Sequence, residues 1–395
     1  MRIKPFLMAV VSAGLVAGAL SSPAVTAQTA AAAPAVFAHP GVGVSRAQLD
    51  FVKAKVQAGA QPWTNAFNQA KSSAYASLSR TPAPRAVVEC GPYSQPNYGC
   101  TDERQDAIAA YTDAVIWYIT GDARYAQKSI QLMDAWSATI RDHTNSNAPL
   151  QTGWAASSWP KAAEIIKHVY GDWPNSGRFG TMLRNVYVPE IINGSNSNGN
   201  WELTIIEALQ GIGVFLEDRT IYDKALSLFS YRAPAYVYLA SDGALPKTVP
   251  SQNLNTRDKI VSYWQGQGTF VTGLTQETCR DFVHTGYGIS AISHVLETSR
   301  IQGIDLYPQY GERLRQALGF QAKYERQAEP VPSWLCNGSV NRGLGPITEV
   351  GYNALHTRLG IAMANTQALT EANRPAGTNA LFVAWETLTH AENPA

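Results

Sequence analysis

The sequence predicts an all-α fold, an α/α toroid of serial helical hairpins, and three observations carry that prediction. Apolar residues recur at helical period along almost the whole chain. Convincing alternating strands are scarce, which disfavours the parallel-sheet folds. One hairpin signature also recurs three times. It reads Ile119-Thr120-Gly121-Asp122-Ala123-Arg124-Tyr125, then Glu217-Asp218-Arg219-Thr220-Ile221-Tyr222, then Gln302-Gly303-Ile304-Asp305-Leu306-Tyr307. Each time a long apolar helix ends in a polar turn with Asp, a Tyr follows, and a more polar helix begins. Inner apolar and outer amphipathic helices in series are how such a toroid is built.

Taken in order, residues 1–33 have the form of a secretory signal. Arg2 and Lys4 start it, Phe6 to Leu20 form an apolar run, and Val25-Thr26-Ala27 offers a small-residue cleavage site. That run falls short of the roughly 20 residues a membrane span needs, so a secreted protein is expected, extracellular or periplasmic if the source has an outer membrane. Ser45-Arg46-Ala47-Gln48 then has the form of a capping box leading into Leu49, Phe51, Val52 and Val56. Helices are predicted at 62–78, 102–120, 122–140, 158–170, 177–191, 200–217, 220–238, 275–300, 307–328 and 349–371. Gly, Pro, Asn and Ser fill the gaps, and 241–274 reads as a loop-rich insert. Residues 34–395 are read as one domain.

Composition narrows the partners. Losing Arg2 and Lys4 turns the formal charge from +1 to −1, which leaves no global basic field for nucleic acid or membranes. A monomer is expected. The 10 Trp and 18 Tyr suffice for a large helical core and are compatible with stacking on sugar rings. The four Cys are an even number, and export permits disulfides. Cys90 and Cys100 flank a turn-rich loop that a bridge would staple, and Cys279 and Cys336 would then form a second pair. Three pairings are possible in principle. No CxxC or HExxH spacing occurs, so neither a metal nor an organic cofactor is expected.

Chemistry-bearing residues gather in Cys279-Arg280-Asp281-Phe282-Val283-His284-Thr285-Gly286-Tyr287. Inside the helix predicted over 275–300, positions i, i+4 and i+7 share a face. Arg280, His284 and Tyr287 would then form a column of a permanent cation, an imidazole and a phenol. A cation to hold an anion, beside a phenol that can move a proton, suits chemistry next to a carboxylate. An acidic sugar polymer is the first substrate to consider. A second polar cluster runs from Asn193 to Glu202 and places Asn200 where an N-cap is expected, with Trp201 beside it to stack on a sugar or pack inward. His143, His168, His294 and His390 have no supporting partners in the sequence and are read as structural.

Asn200-Trp201 opening one helix, followed by Arg280-Asp281-Phe282, His284-Thr285 and Tyr287-Gly288, resembles the alginate lyase superfamily of polysaccharide lyases. Families 5 and 38 are the nearest, α/α toroids acting on mannuronan or glucuronan. His39-Pro40-Gly41-Val42, Gln302 to Tyr307, and Glu349-Val350-Gly351-Tyr352-Asn353 extend the similarity over nearly the whole mature chain. The resemblance implies that Tyr287 acts as base and acid, while Asn200, His284 and Arg280 neutralise the uronate carboxylate. Family 5 carries a His directly after the Asn where this chain has Trp201, so His284 or His356 has to supply the imidazole. Substrate-binding roles are expected for Trp201, Trp264, Gln267, Tyr352, Asn353 and His356.

The chemistry supports those roles independently. The C5 proton of a uronic acid is α to a carboxylate, so its removal builds a second negative charge that amide, guanidinium and imidazolium donors stabilise. A phenol formed by taking that proton can donate to the departing O4. In mannuronate and glucuronate H5 and O4 share a ring face, whereas in guluronate and galacturonate they do not. One residue acting as base and acid therefore fits the first two. Two other classes compete: a glycoside hydrolase using two carboxylates from Asp102, Glu103, Asp258, Glu277 and Asp281, and a non-catalytic glycan-binding protein.

Overall fold

The computed structural model describes residues 36–395, and the signal predicted over 1–33 lies outside the described residues. The first helix, α1 (Arg46–Gln57), opens on the predicted capping box: Ser45 Oγ accepts from the Gln48 amide, and the Gln48 side chain accepts from the Ser45 amide at 2.8 Å. Two orphan donors are satisfied at once. There follow α2 (Trp63–Ser72), β1 (Val87–Cys90), β2 (Asn97–Tyr98), α3 (Cys100–Thr120), α4 (Ala123–Thr139), β3 (Asp142–Thr144) and α5 (Ala148–Ile165). The strands form one small sheet in the order β2-β1-β3, antiparallel then parallel. After α5 come α6 (Ser176–Met182), α7 (Val188–Ile191), α8 (Gly199–Phe215), α9 (Arg219–Tyr236), α10 (Arg257–Tyr263), α11 (Phe282–Ile301), α12 (Tyr307–Glu325), α13 (Glu349–Tyr352), α14 (Ala364–Asn373) and α15 (Glu386–His390).

The three recurring turns do what their Asp residues suggest. Asp122 accepts from the Arg124 amide, Asp218 from the Thr220 and Ile221 amides, and Asp305 from the Tyr307 amide. Each therefore satisfies exposed donors at the start of the outer helix of a hairpin. The inner helices α3, α5, α8 and α11 pack side by side in that order, with α4 against α3, α9 against α8 and α12 against α11. Inner helices are buried on nearly every face, while α4, α9 and α12 keep a polar side. This is the α/α toroid that the sequence predicts.

Four of the differences from the predicted segments bear on the site. Helix α5 begins at Ala148, not near 158. A helix buried all round has no polar stripe to mark it, and Pro149 in its first turn costs no hydrogen bond. The insert at 241–274 contains α10. The stretch 349–371 is broken into α13, a π-helical turn over Asn353–Arg358, and α14. The helix predicted from 275 starts only at Phe282, because Asp281 caps it. Among the described residues, no helix is long and apolar enough to cross a membrane.

Candidate active site

One end of the inner ring opens into a cleft of about 500 Å³. Leu150 and Trp154 come from the first turns of α5, Pro92 and Tyr93 from the loop between Cys90 and Cys100, and Tyr263 from α10. Asn196, Ser197 and Asn198 lead into α8, Trp201 stands in its first turn, and Arg280 and His284 flank the start of α11. Both disulfides are formed, Cys90 with Cys100 and Cys279 with Cys336, so one staples a cleft loop and the other anchors the residue next to Arg280. The segment before α8 is held from behind. Tyr263 donates to the Ser197 carbonyl at 2.7 Å, and the Gln276 amide bonds the Asn198 side chain and the Gly199 amide.

Asp281 does two jobs at the head of α11. Its carboxylate caps the helix through the His284 amide at 2.7 Å and accepts from His284 Nδ1 at 2.8 Å. Burial raises the Asp281 pKa, but the hydrogen bonds and charge of His284 outweigh it and hold the group below the ordinary carboxylate range. With Nδ1 so engaged, His284 Nε2 has no hydrogen-bond partner among the described residues. Because α11 starts after Asp281, Arg280 lies outside it, and the predicted single-face column of Arg280, His284 and Tyr287 does not form. Arg280 still reaches the cleft, held at Nη1 by Glu277 at 2.8 Å and not paired with its neighbour Asp281.

Glu277 is the buried hub of this corner. It accepts from Arg280, from the Tyr236 hydroxyl at 3.2 Å, and from Asn200 through both the main-chain amide and Nδ2. Asn198, not Asn200, occupies the N-cap position of α8. Asn200 is fully buried and its Nδ2 is directed at Glu277, so the amide does not reach the cleft as expected for direct contact with a carboxylate. Two glycines make room for the hub. A Cβ at Gly199 would lie 2.2 Å from the Tyr236 ring, and one at Gly288 would lie 2.3 Å from it.

Tyr287 is half-buried beneath the cleft wall, its ring set edge-on against Trp154 at 6.4 Å, His284 at 5.5 Å and Phe382 at 6.1 Å. No described residue hydrogen-bonds its hydroxyl. Burial and, next, the Asp281 charge raise its pKa above the ordinary phenol value, while Arg104 and Arg280 pull the other way. Arg104, on α3, is a cation that sequence reasoning missed. It is buried over the Trp154 ring at 5.3 Å and bonded to Gln151.

Residues 52–331 match the family described as Alginate lyase. The chain belongs to the alginate lyase family. It is a polysaccharide lyase. Its fold is similar to that of alginate lyase A1-III from Sphingomonas species A1, with a TM-score of 0.60 at 16% identity over 90% of this chain and 97% of that one. A histidine-to-alanine variant of A1-III complexed with tetrasaccharide is similar at TM-score 0.59 and 16% identity, over 92% of this chain and 97% of that one. An alginate lyase from Bacteroides ovatus gives 0.56 at 14% identity, over 89% and 99%. Among curated proteins none matches the chain.

The other residues expected to bind substrate divide sharply in this alginate-lyase-family chain. Trp201 lines the cleft. Trp264 is buried edge-on against Phe270, and Gln267 is buried behind the second disulfide, bonding the Cys336 amide and the Trp334 carbonyl. Tyr352 and Asn353 are buried, and His356 stacks on Tyr352 at 4.8 Å; none of the three lines the cleft. Helix α13 packs inward on α11, which turns Tyr352 and Asn353 into core, while His356 stays part-exposed and bonds the Ile361 carbonyl. The hydrolase candidates fare no better. Glu103 is buried with His143 and Tyr187, Asp102 pairs with Arg85, Glu277 is enclosed, Asp281 is taken up by His284, Asp258 is exposed on α10, and no carboxylate among the described residues lines the cleft. Trp154, Tyr93 and Tyr263 escaped the sequence reading. An earlier start to α5 would have revealed Trp154 one turn beyond Leu150, and Tyr93 sits inside the cysteine-bounded loop.

Proposed function

We propose that this lyase cleaves a polyuronate of mannuronate or glucuronate by β-elimination across C4 and C5. The observation that carries this is a Tyr287 hydroxyl beside an imidazole aligned by Asp281, next to a cleft; among the described residues that hydroxyl has no partner and no carboxylate lines the cleft. Arg280 has guanidinium donors beyond the one Glu277 holds, and these bind the uronate carboxylate as its second charge develops. Tyr287 removes H5 as phenolate, which burial and the Asp281 charge disfavour and Arg104 and Arg280 only partly restore, and the resulting phenol delivers a proton to O4. Asn200 acts as a positioning residue, holding Glu277 and through it Arg280. His284 polarises the carboxylate from the other side.

The raised pKa of Tyr287 favours a second assignment of the same reaction, in which His284 Nε2 takes H5 and the neutral phenol protonates O4. Both groups project from α11, so either assignment works from one side and fits syn elimination. The enzyme acts after secretion on an acidic polysaccharide, as a monomer and without a metal in the cleft. Purified protein incubated with mannuronan, glucuronan and polyguluronate should generate the ultraviolet-absorbing unsaturated uronate from one of the first two. Reducing ends without that chromophore would show hydrolysis, and no product from any polyuronate would reduce the cleft to a binding site.

A further inference from the structure

A second cluster of ligating groups lies at the far end of α5, about 20 Å along the helix from Leu150. Glu164, in the last turn, is wholly buried. Its Oε2 accepts from His39 Nδ1 at 2.8 Å and from the Gly41 amide at 3.0 Å. Its Oε1 has no hydrogen-bond partner among the described residues, and neither does His168 Nε2, which stands 3.5 Å away. The His39 and His168 rings stack with centroids 3.9 Å apart, so both present a nitrogen to the same carboxylate. One ligand atom from each of the three residues lies within 4.8 Å of the others. His168 is carried by a π-helical turn over Ile166–Tyr170, the kind of local distortion that recurs at functional sites.

We propose that His39, Glu164 and His168 bind one divalent transition-metal ion of the zinc class. Two imidazole nitrogens and one carboxylate oxygen are the donors such an ion prefers, whereas calcium and magnesium require oxygen cages. Tetrahedral zinc bonds of about 2.0–2.1 Å set ligand atoms roughly 3.3 Å apart. The 3.5 Å gap already suits that spacing. The 2.8 Å contact has to open, and the two rings have to tilt out of their stack so that their lone pairs converge. His39 and His168 keep 14% and 20% of their side chains exposed, which leaves an approach for the ion and a place for water as fourth ligand. The ion ties the His39-Pro40-Gly41 segment to the end of α5, where it fastens the chain and takes no part in the cleft chemistry.

The test uses the full chain after dialysis against a chelator. Zinc titrated calorimetrically should bind at one per chain and raise the melting temperature by at least about 3 °C at a hundredfold excess over Kd. His168→Ala should lose both effects. His284→Ala should keep both, which rules out the imidazole of the cleft as the ligand. Polyuronate cleavage by the wild-type protein should be the same with and without chelator. Absence of stoichiometric zinc binding to the wild type, or its persistence in His168→Ala, overturns the proposal. Should His168→Ala fail to fold, His39→Gln takes its place, and cobalt added to the wild type should show the visible bands of a four-coordinate site without thiolate. A six-coordinate cobalt spectrum, or one unchanged in His39→Gln, overturns it equally.

Discussion

Helix α11 carries two histidines ten residues apart, His284 and His294, and their surroundings have made them different chemical objects. Each is bound to carboxylate. His284 has a 28% exposed side chain, one nitrogen held by Asp281 and the other open at the cleft. His294 is 6% exposed, and both its nitrogens are held, Nδ1 by Glu207 at 2.8 Å and Nε2 by Glu386 at 2.7 Å. Burial lowers the His294 pKa, but Glu207 and the hydrogen bonds outweigh it and leave the group raised. Lys161 also donates to Glu207, whose own pKa is lowered because those partners overcome its burial. His294 therefore works as a cation that fastens α8, α11 and α15 together. What qualifies an imidazole for proton transfer is the nitrogen left free, and the helix alone does not determine that.

The largest expected effect is on the cleft side of this comparison. Tyr287→Phe keeps the ring and removes a hydroxyl that no described residue binds, so kcat should fall by ~10²–10⁴ while the melting temperature stays put. Near-normal turnover in a folded variant would place the proton transfer elsewhere, with His284 the next residue to test.

Next comes the buried partner. His294→Gln leaves Glu207 and Glu386 without their shared cation and should destabilise the fold by about 3–5 kcal/mol, with kcat of the folded fraction unchanged. Chemical denaturation read beside a cleavage assay separates the two quantities. A loss of turnover without a loss of stability would erase the distinction drawn between the two histidines.

A smaller effect is expected at Asn200, which bonds Glu277 as Arg280 does. Asn200→Ala should raise KM more than it lowers kcat, with kcat reduced by less than ~10-fold. A direct contact with the developing dianion would instead lower kcat most.

The smallest effect is a slope. His294 has a raised folded pKa, so its stabilisation is complete below the unfolded value of about 6.5 and is lost as pH rises through the folded value. Glu207 has the opposite sign: its contribution is present above its unfolded value of about 4.3 and is lost as pH falls through the depressed one. Melting temperatures of the wild type should decline on the alkaline side of that window, and His294→Gln should flatten the decline. Parallel curves for the two proteins would show that the network does not titrate as described.

Local chemistry in the sequence was enough to set the hairpins and their caps. Asp122, Asp218 and Asp305 bind amides two or three residues away, and the Ser45 capping box closes over three. Interactions of that range leave a signature in residue order, as does the apolar period of the inner helices. Even so, α5 hid its first turns, because a helix buried on all sides shows no stripe. The stretch from Arg280 to Tyr287 could likewise be singled out from residue types and spacing. Tertiary structure alone decided how those groups are used. Glu277 takes Asn200 from 77 residues away, His294 takes Glu386 from 92, and His39 takes Glu164 from 125. Hydrogen-bond partners of that separation, and the burial that makes them obligatory, are set by which helix faces meet across the ring. No local pattern encodes that meeting, because a buried polar group needs a partner without specifying where along the chain it comes from.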